Sequence, residues 1–393
     1  MNQQRLGGVN DDANAVSLQT AKLVDGQIEV SFSPEAPPSR FSPFWLRDHC
    51  HAKHSLNADS LQREVDTFSI PADIAPAKIE IADGGSTLNI VWQHDDRVSV
   101  FPAEFLWNIA RDEGRPRAPR RSLWDSTMGK SFPSVSHAEI MASDAGLLRW
   151  LSLVEEFGFA LTTGAQASLA GTEALVKRVG YVRETIFGGM WEFSANMKFK
   201  DTAYTSVAIG PHTDGTYSND SPGFQMFSCL QFDGSGGDST LVDGFKVAQT
   251  IRESDPPAFK VLTEISVPAH YLGDGVHLQA EHPIIALDQH GDVKQIAYNN
   301  YDRAPFRLPA SRIAEFYRAL ALWHRLINDP AYEISMRLLP GTVLFFDNWR
   351  TLHGRHSFKG HRQMCGAYVN MEDFQSKLRV LRASSNRPAP RAV

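Results

Sequence analysis

FQMFSCLQF (224–232), STLVDGF (239–245), PIIALD (283–288), VKQIAYN (293–299), TVLFFDN (342–348) and MCGAYVN (364–370) decide the fold. Each is a short run of apolar, aromatic or β-branched residues, the side chains that fit a pleated, partly buried surface. Turn residues bound the runs, and QHGD (289–292) reads as a hairpin turn between two of them. Helical stretches interrupt the series at 245–262 and 308–328. Many short strands with a few covering helices predict a mainly β protein with flanking helices, a double-stranded β-helix or jelly roll.

Upstream of these strands, AGLLRWLSLVEEFG (145–158) has helical periodicity, FALTTG (159–164) turns extended, and GTEALVKRVG (171–180) is a second helix. Further back, QIEVSFS, KIEIA, TLNIVW and RVSVF fall between Gln27 and Phe101. They alternate or are β-branched, and predict a small β-rich N-terminal domain over 25–112. A helix, AEFLWNIARDEG (103–114), ends it. The basic, Pro-containing GRPRAPRRS (114–122) reads as part of a linker over 113–136. It is either a solvated loop or a stretch at a subunit interface. The second domain then runs over 137–393, and residues 1–24 read as a loose leader.

The bulk properties narrow the function. The 393 residues are 42% hydrophobic and 21% charged, with a net charge of −6. A nucleic-acid partner needs a basic surface and is not expected. Cys50, Cys229 and Cys365 have no short paired spacing, so a reducing compartment is expected. No apolar signal core and no run of membrane-spanning length occurs. These features predict a soluble cytoplasmic protein without a membrane partner.

The chemistry-bearing motif is PHTDGTYS (211–218). His212 and Asp214 stand at i and i+2, and in extended backbone they share a face. An imidazole and a carboxylate on one side are two-thirds of a facial triad for non-haem Fe(II). DNWRTLHGRHSFKGHRQ (347–363) offers His353 as the third ligand, on a late strand that a jelly roll can return beside the first. HxD by itself is a weak motif. Nine residues after His353 comes Arg362, which a strand could carry into the same barrel. A buried Arg needs an anion, and bidentate carboxylate pairing suits a dicarboxylate co-substrate. GGDSTLVDG (236–244) adds a hydroxyl, Ser239 or its neighbour Thr240, that could share that carboxylate.

Several stretches extend the pattern: DTAYT (201–205), HTD (212–214), GGDSTLVDGF (236–245), NNYDRAPF (299–306), FDNWRTLHGR (346–355) and RQMCGAY (362–368). Through them residues 180–385 resemble the γ-butyrobetaine and trimethyllysine dioxygenases of the taurine dioxygenase superfamily. WLRDHC (45–50) resembles that family's N-terminal module. The resemblance implies an Fe(II)- and 2-oxoglutarate-dependent dioxygenase domain. Iron would sit on His212, Asp214 and His353, and the distal carboxylate of 2-oxoglutarate on Arg362 with Ser239 in support. O2 would be consumed, 2-oxoglutarate would leave as succinate and CO2, and a substrate C–H bond would be hydroxylated. A homodimer is also implied.

The resemblance also implies an aromatic cage of Phe187, Trp191, Tyr204 and Tyr368 around a trimethylammonium group. A quaternary ammonium has no donor hydrogens, so ring faces are its natural partners. Phe187 stands where family members often have Tyr; the cage keeps that face and loses a polar edge. Candidates for the other end of the substrate are Asp201, Tyr217, Asn299, Asn300 and Arg303. The substrate class is then a small trimethylammonium-alkyl acid: γ-butyrobetaine, trimethyllysine or 2-(trimethylammonio)ethylphosphonate. WLRDHCHAKHS (45–55) keeps one cysteine of a zinc cluster found in such modules, so Cys50 with His51, His54 and His94, and neighbouring His49, could form a substitute zinc site. Two other classes compete: an inactive binding or sensor protein of this fold, and a dioxygenase acting on nucleic acid or protein. Asp214 disfavours a halogenase, in which halide takes the carboxylate's place.

Overall fold

The structure, a computed structural model, describes residues 16–33, 36–57, 59–111, 121–194, 206–273 and 275–385. It divides into two compact units, 1–117 and 118–393. In the first, β1 (Ser17–Val24), β2 (Gln27–Ser33) and β3 (Ser39–Phe41) form one antiparallel sheet. A short helix, α1 (Pro43–Asp48), follows, capped by Ser42. A second sheet joins β4 (Pro76–Ala82), β5 (Thr87–Trp92) and β6 (Asp95–Pro102), and α2 (Ala103–Ala110) ends the unit. Alternate residues of β2 and β5 (Ile28, Val30, Phe32; Leu88, Ile90, Trp92) are buried and make its core. Residues 17–24, read above as leader, are a strand. Only Leu18 of β1 is buried, so no hydrophobic alternation marks it. The turn does: Asp25 (φ 48°) and Gly26 (φ 75°) both have positive φ, the geometry of the tightest hairpin turn.

The second unit is the predicted double-stranded β-helix. It contains β7 (Ser134–Ser136), α3 (His137–Ala142), α4 (Asp144–Phe157), β8 (Phe159–Thr163), α5 (Leu169–Val179), β9 (Trp191–Phe193) and β10 (Ile209–His212). After these come β11 (Phe224–Gly236), β12 (Ser239–Asp243), α6 (Gly244–Ser254), α7 (Pro256–Glu264), β13 (Ser266–Gly273), β14 (Val276–Pro283), β15 (Ile285–Leu287) and β16 (Val293–Ile296). The chain closes with α8 (Ala310–Ile327), β17 (Glu333–Met336), β18 (Thr342–Asp347), β19 (Thr351–Arg355), β20 (Phe358–Val369) and α9 (Met371–Ser385). One sheet has the order β7-β8-β18-β11-β20-β9, the other β10-β19-β12-β17. Two hairpins, β13–β14 and β15–β16, stand beside them.

The near-continuous apolar run of β18 follows from burial on both faces. Val343 and Phe345 pack with Leu147, Trp150, Leu151 and Val154 of α4 and with Phe374 and Leu378 of α9. Leu344 and Phe346 face the opposite way, toward Leu241 of β12 and Ile334 and Met336 of β17. Each such fully buried side chain contributes about 1.5–3 kcal/mol. Helices α6, α7 and α8 cover Val242 and Leu352 of the smaller sheet. The single helix expected over 245–262 is two, because Pro256 and Pro257 have no N–H to continue α6. Asp255 marks the break and caps α7, accepting from the Ala258 amide at 3.0 Å.

A fully buried ion pair ties these layers together. Arg350, in the turn from β18 to β19, donates Nε to Asp243 Oδ1 at 3.1 Å and Nη2 to Oδ2 at 2.7 Å. Its Nη1 reaches the Glu156 carbonyl at 2.9 Å, and Nη2 also reaches the Ser122 carbonyl at 2.7 Å. Removing one partner leaves an uncompensated buried charge. Arg350→Met is therefore expected to lower unfolding free energy in urea by about 3–5 kcal/mol; a loss under about 1 kcal/mol would show that the pair does not hold the layers.

Candidate active site

His212 ends β10 and lies directly opposite His353 of β19 in the antiparallel register. The two ring centroids are 4.3 Å apart. Thr213 turns the opposite way and is buried; its amide donates to the Tyr298 carbonyl at 2.8 Å, and its hydroxyl accepts the Tyr298 amide at 3.0 Å. That anchor leaves the flanking His212 and Asp214 on one side. Asp214 Oδ1 lies 3.3 Å from His212 Nε2, and Oδ2 lies 3.6 Å from His353 Nε2. The ligand atoms of the three residues fall within 4.8 Å of one another, the one such group among the described residues.

Asp214 is held at its backbone as well. Its amide donates to Asn348 Oδ1 at 2.8 Å, and Asn348 Nδ2 donates back to its carbonyl at 3.1 Å and to the Pro222 carbonyl at 2.9 Å. The Tyr368 hydroxyl donates to Asp214 Oδ2 at 2.8 Å. Burial by itself would push the Asp214 carboxyl up. The flanking His353 and His212 and the Tyr368 hydroxyl overrule it and hold the group well below the usual carboxylate range. Burial and the neighbouring His212 push the His353 imidazole down to about 3, so it is neutral with a lone pair to offer. Burial works against protonation of His212 too, but the Asp214 carboxylate and the Gly210 carbonyl raise it. That carbonyl, 2.9 Å from Nδ1, accepts a hydrogen bond from Nδ1–H and leaves Nε2 facing the carboxylate. Two imidazole nitrogens and one carboxylate, open on one side, fit an Fe(II) facial triad.

The open side is a cavity of about 290 Å³. Arg362 of β20 and Arg355 of β19 both line it, and both are buried. The Arg362 side chain makes no hydrogen bond or ion pair among the described residues; burial lowers its pKa. Arg355 Nη2 reaches the Val207 carbonyl at 2.7 Å; burial, with Arg362 near, pushes its pKa down to about 10. The two guanidinium carbons sit 4.9 Å (Arg355) and 5.9 Å (Arg362) from the centre of the Phe358 ring. Ser239 pairs with Arg355 in the β12–β19 register and lines the cavity, whereas Thr240 does not. This end of the cavity can receive an anion.

The comparisons with known proteins agree with this chemistry. Residues 117–368 match the model of the family described as Taurine catabolism dioxygenase TauD, TfdA family. Residues 20–107 match Gamma-butyrobetaine hydroxylase-like, N-terminal. The chain belongs to the TauD/TfdA dioxygenase family. It is 36% identical to trimethyllysine dioxygenase of Meyerozyma guilliermondii, over 87% of this chain and 90% of that protein. With the mitochondrial trimethyllysine dioxygenase of Rattus norvegicus the identity is 34%, over 87% and 83%. With gamma-butyrobetaine dioxygenase of Pseudomonas sp. (strain AK-1) it is 31%, over 87% and 91%. The protein is an Fe(II)- and 2-oxoglutarate-dependent dioxygenase. No described helix is long and apolar enough to cross a membrane.

Of the residues suggested for the substrate, Phe187, Trp191, Tyr217, Asn299 and Tyr368 line the cavity. The Trp191 and Tyr368 rings lie 5.7 Å apart. Gly366 makes room for the indole, since a Cβ there would stand 2.3 Å from a Trp191 ring carbon. Asn300 and Arg303 line a separate small cleft beside Tyr298 and Leu320. Asp201 and Tyr204 lie outside the described residues. The sequence reading missed Tyr271, which meets Phe187 and Tyr217 at ring distances of 6.0 and 5.4 Å, and it missed Asn348 and Arg355. For Arg355 a signal was present, since i+2 from His353 shares its face; for Asn348 there was none. In the N-terminal unit, Cys50 is buried and its sulfur accepts the Ala52 amide at 3.3 Å. His49 stacks on Trp45, His51 packs on Phe105, and His94 is exposed. Among the described residues, Cys50, His51, His54 and His94 do not converge as the His212 group does.

The double hold of Asn348 on Asp214 gives a direct expectation. Asn348→Ala should weaken Fe(II) or Co(II) binding about 10–100-fold, as loss of a group that orients a ligand does. A metal titration followed by Co(II) absorption measures it, and unchanged affinity would remove Asn348 from the site.

Proposed function

We propose that the protein hydroxylates a small trimethylammonium-alkyl acid, with γ-butyrobetaine, trimethyllysine and 2-(trimethylammonio)ethylphosphonate as members of the class. The observation that carries the reading is the pairing, on one cavity, of a His–Asp–His group with a wall of aromatic faces. Relatives named for trimethyllysine and gamma-butyrobetaine support it. The intact ligand set and Arg362 favour an enzyme over an inactive binding protein.

In this reading His212, Asp214 and His353 hold Fe(II), and Arg362, aided by Ser239 and Arg355, holds the distal carboxylate of 2-oxoglutarate. Bound iron and 2-oxoglutarate supply the oxidising chemistry: with O2 and one substrate C–H they yield C–OH, succinate and CO2. The chain itself binds, orients and shields. The ring faces of Trp191, Tyr368 and Phe187 take up the diffuse charge of the trimethylammonium group. That grip fixes which carbon faces the metal, and the surrounding aromatic wall keeps water from the reacting centre. The Tyr368 hydroxyl donates a hydrogen bond to Asp214, which helps keep the carboxylate ionised and available as a ligand.

A turnover panel with the three compounds tests the reading. Succinate should form stoichiometrically with hydroxylated product for at least one of them, and His212→Ala should abolish both. Silence toward all three compounds in iron-loaded protein would sink it. Arg362→Met should raise KM for 2-oxoglutarate about 30-fold or more, because a buried charge-assisted pair is lost. A KM within twofold of the parent would remove Arg362 from the co-substrate site.

A further inference from the structure

The strand that carries His212 is irregular. Between the pairs Ile209–Arg355 and His212–His353 the register shifts, so Gly210 and Pro211 together face the single residue Gly354. This is a β-bulge, an extra residue that re-aims the side chains beside it. Gly354 has no room for a side chain, since a Cβ there would stand 2.6 Å from the Ile209 carbonyl oxygen. Pro211 has no N–H to offer. Gly210 lacks a Cβ to restrict its torsions, so the direction of its carbonyl depends on what holds it. The Gly210 amide donates to the Tyr301 hydroxyl at 3.1 Å, and the Gly210 carbonyl accepts from His212 Nδ1 at 2.9 Å. Tyr301 lines the cavity, its exposed ring perpendicular to that of His212 at a centroid distance of 6.4 Å. Tyr301 is itself fixed, because its amide donates to Asn299 Oδ1 at 3.0 Å. Its loop is pinned to β13: the His270 amide donates to the Asp302 carbonyl at 2.9 Å, the Ala304 amide donates to the Pro268 carbonyl at 2.8 Å, and Arg303 bridges Ala269.

We propose that Tyr301 is a positioning residue for the metal centre: its hydroxyl holds the Gly210–Pro211 bulge so that the Gly210 carbonyl stays aimed at His212 Nδ1. This rests on the reading of His212 as a metal ligand. A proton fixed on Nδ1 leaves the lone pair on Nε2, the nitrogen that lies 3.3 Å from Asp214 Oδ1. A ligating imidazole is oriented through its other nitrogen, by a carboxylate, a carbonyl or water. Here the orienting group is a carbonyl in a bulge, where the regular ladder does not fix its direction. The Tyr301 hydroxyl supplies the missing restraint from a loop 91 positions away in sequence. Without it the Gly210 amide turns to water, the carbonyl gains freedom, and the His212 ring must be ordered when metal binds. The relay runs from Tyr301 through Gly210 to His212 and involves no substrate atom. The hydroxyl carries the role, and the ring alone does not.

The test uses the full chain and Tyr301→Phe, which removes the hydroxyl and keeps the ring. Co(II) is titrated without co-substrate or substrate and followed by its absorption, and thermal unfolding of the metal-free proteins checks the fold. Tyr301→Phe should weaken Co(II) binding about 10-fold, the lower end of the loss expected for a group that orients a ligand. In Zn(II)-loaded enzyme with isotopically labelled histidine, the His212 Nδ1–H should give a slowly exchanging NMR signal that His212→Ala lacks. In Tyr301→Phe that proton should exchange faster with water, a change that a general loss of packing elsewhere does not produce. A parent enzyme whose His212 Nδ1–H exchanges as fast as that of a solvent-exposed imidazole would overturn the proposal without any variant. A folded Tyr301→Phe with the parent's affinity and the parent's signal overturns it as well. Where His212→Ala loses Co(II) and Tyr301→Phe does not, the ligand reading stands and Tyr301 is refuted; where His212→Ala binds as tightly as the parent, both fall.

Discussion

The buried Arg350–Asp243 pair is the constraint through which the site holds together. Taking both charges out of water costs several kcal/mol per ion, and only saturated hydrogen bonding offsets it. Arg350 is met by both carboxylate oxygens and by the Glu156 and Ser122 carbonyls. Asp243 also accepts the Trp124 amide at 3.1 Å and the first-turn amides of α6. The four-residue turn that carries Arg350 also carries Asn348, whose amide grips Asp214, and leads within three residues to His353. A pair remote from the cavity thus fixes the turn that sets two of the three ligand positions. Asp347, in the same turn, is pushed up to about 6 by burial although Arg121 and Arg350 oppose it. The turn is therefore organised around guanidinium groups more than around its own carboxylate.

The strands of the second unit were legible because burial on both faces demands unbroken apolar runs such as VLFF, which few loops contain. His212, Asp214 and His353 were legible as a set because ligand chemistry restricts the residue types and strand geometry restricts the spacing. The position of Arg362 could be read because it follows His353 by nine residues, on a strand able to return to the same barrel, and it does line the cavity. What sequence did not disclose works through the backbone. Asn348 acts on main-chain groups 134 positions away, and no residue pattern near Asp214 encodes that. β1 hides for a related reason: its strand state is dictated by the Asp25-Gly26 turn and not by its own side chains. Asn300 and Arg303 share a loop with Asn299, yet the pin to β13 sends them to another cleft, so proximity in sequence overstated their part.

Charge is sorted within the cavity. Two guanidinium groups lie over one ring, a carboxylate stands between two imidazoles, and aromatic faces line much of the remainder, with Asn299 and Asp302 among them. On the proposed reading this sorting answers a conflict. A cationic substrate group beside the triad could be held by a carboxylate, but a further carboxylate there would compete for iron and repel Asp214. Ring faces attract a cation and cannot ligate a metal or exchange a proton. An aromatic seat is therefore the solution compatible with a metal-binding carboxylate next door.

Tyr368 joins the two halves of that solution. Its ring stands beside Trp191 in the aromatic wall, and its hydroxyl donates to Asp214. Gln225, directly across on β11, is buried and donates to the same hydroxyl at 3.5 Å, so the hydroxyl proton must point to the carboxylate. The phenol can then serve as a wall for the cation only in the orientation that also anchors the metal ligand. A substrate that displaces the ring moves the Asp214 hydrogen bond with it. On the proposed reading, the position of the trimethylammonium group and the geometry of the ligand set are in this way coupled through a single side chain on β20.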